Sequence, residues 1–206
     1  KELLAPMKEK LKMFTTYGTP GSLPNFERLG NLPINNWRDA RAGDISDKIN
    51  GMVMAETIQV KRSGCRKCPL LCARVVEVKD GPYKTDGISE APEYETLGAF
   101  GSLQMVDSLE GIARANELCN NYGMDTISVG ATIAFANECY EKGVITKEDT
   151  DGLELGFGQP DTNIELVRRM ALGEGKFGKL LAQGSRKAAK AIGNGAEEYS
   201  VDVKGL

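Results

Sequence analysis

The chain has 206 residues, 41% of them hydrophobic, with 26 basic and 29 acidic side chains and a formal charge of −3. That length supports one well-packed domain or two small ones, and the interspersed charges form no nucleic-acid footprint. No stretch is long and apolar enough to cross a membrane, and a chain without histidine cannot complete a Cys2His2 or Cys3His zinc site by itself.

Leu3, Leu4, Met7, Leu11 and Phe14 recur at helical spacing and predict an amphipathic helix over roughly 2–16, ended by Gly18. From there to about Gly43 the prolines, glycines and asparagines predict an irregular connection. Connections of that length usually wrap another part of a protein or line a site. Asp44 to Arg62 reads as helical and leads into GCRKCPLLC, where Cys65, Cys68 and Cys72 have C-x2-C-x3-C spacing. Three soft thiolates this close can converge on one metal or cluster. A 4Fe-4S cluster is held by four cysteine thiolates, so the motif supplies three ligands and the fourth must come from elsewhere. Zinc held by thiolates plus a carboxylate or water is the alternative.

After Cys72, the β-branched ARVVEV predicts a strand entering a small hairpin around DGPYKTDG, with turns at Asp80-Gly81 and Asp86-Gly87. The second half reads as helical. Ser108 caps a helix to about Asn121, with Leu109, Ile112, Ala113, Ala115, Leu118 and Cys119 as its buried stripe and Gly123 as a left-handed stop. Asp125 or Thr126 starts a small-residue helix to Gly143, whose Gly130, Ala131 and Ala134 permit close helix–helix approach. Glu148–Pro160 is a loop, and Thr162–Leu172 and Phe177–Ile192 are the last helices. Cys119 and Cys139 lie on helical stripes and read as core residues. The fold class is mainly α, a multihelical domain with one small β hairpin after the cysteine motif.

GCRKCPLLC, APEYETLGAFGS and ARANELCNNYGMDTISVG, in that order, resemble the aldehyde:ferredoxin oxidoreductase family of tungsten-pterin enzymes. YGTPG, LPINNW and LAQGSRKAAKAIG also fit that family. The resemblance implies that residues 1–206 are its middle, largely helical domain, set between an N-terminal β domain that cradles the pterin and a C-terminal helical domain. The missing initiator Met and the ending at VKGL agree with an excised piece, and Lys1 leads straight into a helical pattern without a signal peptide.

The resemblance assigns Cys65, Cys68 and Cys72 to a 4Fe-4S cluster whose fourth cysteine belongs to the third domain. Asn120-x-x-Gly123-x-Asp125 resembles the family's D-x-x-G-L-(D/C) pterin-binding signature, with Asn120 replacing its first Asp. Read locally, Gly123 is a helix stop and Asp125 a helix cap. Tyr94 and Glu95 match a Tyr-Glu pair placed near the metal, where Glu95 exchanges a proton with the substrate; Glu90 is a second candidate carboxylate. Read locally, Pro92-Glu93 starts a helix.

The implied function is oxidation of an aldehyde to a carboxylic acid at a tungsten (or molybdenum) bis-pterin, with electrons passed through the cluster to ferredoxin. The alternatives are reduction of an aromatic acid thioester of the benzoyl-CoA type on the same fold, or a non-enzymatic zinc- or cluster-binding helical module. Some members of the family that the chain resembles bridge two subunits with a metal held by glutamate and histidine from this domain; without histidine that site cannot form here as described, which leaves a homodimer to packing. Five cysteines make no disulfide scaffold, and a cytoplasmic location is expected. Without the other domains the chain is expected to fold but to be catalytically silent, with Glu95 facing solvent.

Overall fold

A computed structural model describes residue 6 and residues 9–204 of the chain. The architecture is mainly α with one small antiparallel sheet. Lys12–Tyr17 (α1) is the described part of the first expected helix, whereas Leu3, Leu4 and Met7 lie outside the described residues. α1 buries none of its own side chains, so Met13 and Phe14 are exposed where an apolar stripe was expected. Gly18 ends it at φ 71°, and a Cβ there would lie 2.5 Å from the carbonyl oxygen of Cys72.

The stretch expected to be irregular is partly helical. A 3-10 turn at Thr19–Ser22 runs into Leu23–Arg28 (α2), which tolerates Pro24 because it falls in the first turn. The chain then carries no helix or strand up to Asp44, and Leu32, Ile34 and Ala42 anchor it in the core.

The single helix expected over 44–62 is replaced by two short helices and a strand. Ile45–Lys48 (α3) and Gly51–Thr57 (α4) are separated at Asn50, whose side chain accepts from the N–H groups of Met52 and Val53 at 2.9 and 3.1 Å and so caps a new helix. Gln59–Ser63 (β1) pairs antiparallel with Ala73–Val76 (β2), and β2 pairs with Ser89–Glu90 (β3), in the order β1-β2-β3. The ARVVEV strand is therefore present, with Gly81 and Gly87 at φ 87° and 107° in the loop beyond it. It also has a partner before the cysteine motif. β1 has three exposed residues in its middle and no local signal of its own; pairing with β2 decides its conformation.

The helices of the second half follow their caps. Tyr94–Phe100 (α5) leads through a 3-10 turn at Ser102–Gln104 to Leu109–Tyr122 (α6), where Ser108 Oγ accepts from Gly111 N–H at 3.1 Å. Leu109, Ile112, Ala113, Ala115 and Cys119 are buried, Leu118 is partly buried, and Gly123 stops α6 at φ 69°. Thr126–Glu141 (α7) is buried on nearly every side, the pattern of a helix surrounded by others. Pro160–Leu172 (α8) packs along α6 and ends at Gly173. The expected final helix is two, Gly175–Leu181 (α9) and Ser185–Ile192 (α10), because Gly184 at φ 86°, ψ 161° breaks it.

α5 and α7 lie side by side. The hydroxyls of Thr96 and Thr126 are 2.8 Å apart at their N-terminal ends. One turn further on, a Cβ on Gly130 would come within 2.7 Å of Ala99 Cβ and 2.8 Å of Ala99 O. Gly130→Val should therefore force the helices apart and destabilise the domain by about 1–3 kcal/mol, measurable as a lower midpoint in urea unfolding; an unchanged midpoint would show that the contact yields freely.

Candidate functional site

Cys65, Cys68 and Cys72 all lie in the connection between β1 and β2. Cys65 is exposed, Cys68 and Cys72 are half-buried, and all three are free thiols. The Cys68 N–H donates to the Cys65 carbonyl at 3.0 Å, and Lys67 and Leu71 adopt positive φ of 65° and 49°. Among the described residues no three His, Cys, Asp or Glu side chains converge as ligands of one metal ion. The donor set nevertheless suits an iron–sulfur cluster: it is sulfur only and lies on one loop, and cysteines that do not converge on one ion could each hold a different iron of a cluster. Cys119 and Cys139 are different. Both are fully buried, and burial pushes each thiol up to about 12, so they stay protonated and act as core residues.

Three of the other candidates, Tyr94, Glu95 and Asp125, line one cleft of about 540 Å³, within the range of small-molecule and cofactor sites. Tyr94 and Glu95 enter from the start of α5, and Asp125 from the cap of α7. Gly98, Ala99 and Ala131 line it between the helices, while Asn31, Pro33 and Trp37 form a wall from the long connection. Glu95 is exposed at the edge of this cleft. Asp125 Oδ2 accepts from Ser128 N–H at 2.6 Å, so it does cap α7. Asn120 and Gly123 are not in the cleft lining: Asn120 is exposed on α6, and its carbonyl accepts from Gly123 N–H at 3.2 Å. Of the three-residue signature, only Asp125 brings a side chain to the cleft.

Tyr94 is fixed from three directions. Its N–H donates to Thr19 Oγ1 at 3.0 Å, its hydroxyl donates to the Asn31 carbonyl at 3.2 Å, and its ring meets Phe26 at 4.5 Å and 50°. Burial, and then the charge of Glu95, push the Tyr94 hydroxyl above its ordinary value. The same Thr19 hydroxyl donates to Glu93 Oε2. Burial raises the Glu93 carboxyl above the ordinary carboxylate range, against the opposing effects of the Thr19 hydrogen bond and the Arg74 charge.

A model of the family described as "Aldehyde ferredoxin oxidoreductase, domains 2 & 3" matches residues 2–206. The chain belongs to the aldehyde ferredoxin oxidoreductase family. It is 34% identical to the tungsten-containing aldehyde ferredoxin oxidoreductase of Pyrococcus furiosus over 92% of its own length and 30% of that protein. The enzyme of the same description from Pyrococcus horikoshii is 37% identical over 91% of the chain and 30% of the relative. The aliphatic sulfonate oxidoreductase, WOR-like subunit, of Pyrococcus furiosus is 32% identical over 84% of the chain and 28% of the relative. Among solved structures, the active-site complex BamBC of benzoyl coenzyme A reductase, bound to 1,5-dienoyl-CoA, matches with a TM-score of 0.66 and 25% identity. That match covers 82% of the chain and 25% of the BamBC chain. The chain thus spans about 30% of the length of these tungsten oxidoreductases.

Within this family domain, sequence reasoning missed Thr19, Trp37 and Arg74. Thr19 and Trp37 lie in the YGTPG and LPINNW stretches that resemble the family, but it is tertiary contacts that bring them to the site, and neither stretch leaves a local pattern that signals that role. Arg74 did leave one: between Glu56 and Glu77 the chain carries Lys61, Arg62, Arg66, Lys67 and Arg74 and no acidic residue.

The raised proton affinity of Glu93 has a definite consequence for stability. A carboxyl whose folded pKa lies above its unfolded value contributes stability that is complete below the unfolded value and is lost as pH rises through the folded one. Glu93→Gln removes that loss while keeping an acceptor for Thr19. The variant should therefore gain stability relative to wild type as pH is raised from the ordinary carboxylate range towards neutrality. Parallel stability–pH curves for the two proteins would refute this.

Proposed function

We propose that this chain is the middle domain of a tungsten bis-pterin oxidoreductase that oxidises an aldehyde to a carboxylic acid, with water supplying the added oxygen and two protons released, and passes the two electrons through a 4Fe-4S cluster to ferredoxin. The observation that carries the reading is the meeting of Tyr94, Glu95 and Asp125, from two motifs far apart in sequence, on one cleft. When bound, the tungsten–pterin would supply two-electron redox chemistry and the cluster would transmit electrons singly. Asp125 spends one hydrogen bond on Ser128 N–H. A carboxylate has further lone pairs, enough to accept N–H groups from the aminopyrimidinone edge of a pterin. Glu95, at the cleft edge one residue from the anchored Tyr94, is the group that takes or returns the substrate's proton. Cys65, Cys68 and Cys72 would hold the cluster, completed by a cysteine of the third domain.

The structural likeness to BamBC supports a second reading on the same scaffold, reduction of an aromatic acyl-CoA thioester. Assaying the purified full-length protein against aldehydes and against aromatic acyl-CoA thioesters separates the two. The primary reading requires aldehyde-dependent reduction of ferredoxin.

Two variants probe the assignments. In the full-length protein Cys68→Ala should abolish the cluster's EPR signal and electron transfer to ferredoxin, whereas Cys139→Ala should leave the signal intact; a normal cubane spectrum in Cys68→Ala would rule the ligand set out. Asp125→Ala should lower bound tungsten and pterin together. If both remain stoichiometric in a folded variant, Asp125 is a helix cap and nothing more.

A further inference from the structure

Arg74 is 2% exposed, and a guanidinium so deeply buried ordinarily has an anionic partner. Among the described residues it forms no ion pair; all its hydrogen-bond acceptors are carbonyls. Nη1 donates to Leu71 O and to Ala73 O, both at 2.8 Å, and Nη2 donates to Phe14 O at 3.2 Å, while Nε is buried without a partner. Leu71 and Ala73 are the residues on either side of Cys72. Directly across the β1–β2 register stands Arg62, whose Nη2 donates to Leu70 O at 3.3 Å. Like charges opposite each other on paired strands are destabilising. Both arginines at the mouth of the cysteine loop grip that loop's carbonyls, and the carboxylate whose charge reaches Arg74, that of Glu93, is hydrogen-bonded to Thr19 and forms no ion pair with it, so the two cations lack a direct anionic partner among the described residues.

We infer that Arg74, assisted by Arg62, is the built-in counter-charge of a thiolate-bound cluster on this loop, fixing the backbone on both sides of Cys72 and raising the cluster's reduction potential. The inference rests on the proposed cluster at Cys65, Cys68 and Cys72. The physics is direct. Reducing the cluster adds one electron and hence one unit of negative charge, so a nearby fixed cation stabilises the reduced form more than the oxidised one. The effect is strengthened because Arg74 is screened from water. Net charge and solvent exposure are among the factors that set such potentials. Arg74 acts through position and charge and touches no substrate.

The competing role is purely mechanical: Phe14 lies in the short helix α1, and an arginine can tie off helix carbonyls. The full-length protein, purified anaerobically, separates the two. Iron and acid-labile sulfide are quantified first, and the cluster is then titrated with redox mediators under EPR in wild type, Arg74→Met, Arg74→Lys and Arg62→Gln. Arg74→Met should move the midpoint potential to a more negative value, Arg74→Lys should recover most of that shift, and the exposed Arg62→Gln should give a smaller shift of the same sign. An iron-replete Arg74→Met protein with an unchanged midpoint and only a lower melting temperature overturns the inference and leaves Arg74 as a tie to α1. If Arg74→Met does not retain iron, Arg62→Gln decides: a negative shift supports the counter-charge and an unchanged midpoint overturns it. A wild-type protein without iron and sulfide overturns the cluster reading and this inference together, whereas a cluster-bearing wild type with charge-insensitive variants overturns the inference alone.

Discussion

The seating of α5 on α7 is the constraint on which the rest of the site depends. Only a residue without a side chain fits at position 130, because Ala99 already occupies the space. The contact brings the two helices together in the same direction, and the Thr96–Thr126 hydrogen bond aligns their first turns. Glu95 and Asp125 each precede one of those threonines, so the pairing that aligns the helices also brings the two carboxylates to one end. Two helices in the same direction need a return element, and α6 provides it. Beyond the end of α5, Gln104 braces the middle of α7: its Nε2 donates to Gly130 O at 3.1 Å while its Oε1 accepts from Asn137 at 3.3 Å.

The wall facing these helices is built differently. Asn35, Asn36 and Trp37 take consecutive positive φ angles of 48°, 48° and 67°, a costly run for residues with side chains. Its compensation is visible in the bonds it makes. The N–H groups of Asn35 and Asn36 donate to Ser102 O and Leu103 O at 3.1 and 2.9 Å, and the Asn36 amide donates to Glu138 Oε2 at 2.6 Å and to Tyr199 O at 3.0 Å. Arg38 pairs with Glu141 at 2.9 Å and approaches Glu138 at 3.4 Å. The outcome is a tryptophan held 57% exposed beside the cleft, where a hydrophobic side chain is available for contact.

Much of the second half was legible because its signals are local. Ser108, Gly123, Asp125 and Gly173 act where their chemistry says they should, and Gly130 marks the helix contact. The errors fall where local signals conflict or where a partner decides. Asn50 turns one expected helix into two by capping in its middle, and Gly184 does the same with its backbone angles. β1 is a strand because β2 lies beside it. At the site, the cysteine spacing and the Tyr94-Glu95 and Asp125 motifs were readable as patterns. Thr19 reaches Tyr94 across 75 positions and Asn36 reaches Glu138 across 102, separations at which a sequence window carries no information.

The placement of the cysteines inside the β1–β2 connection also bears on the order in which the molecule is built. A hairpin closes a short loop at little entropic expense and forms in about 1–10 μs, without waiting for distant contacts. The thiol-bearing segment therefore closes on a partner strand nearby in sequence, while β3 and the Arg74–Phe14 bond tie it to the rest of the chain. The cleft is late: its lining includes Val201, Asp202 and Val203, and its tryptophan wall is anchored on Tyr199, 163 positions beyond Asn36. During synthesis from the N-terminus, the cysteine loop and both strands that flank it therefore emerge before the residues that give the cleft its last wall.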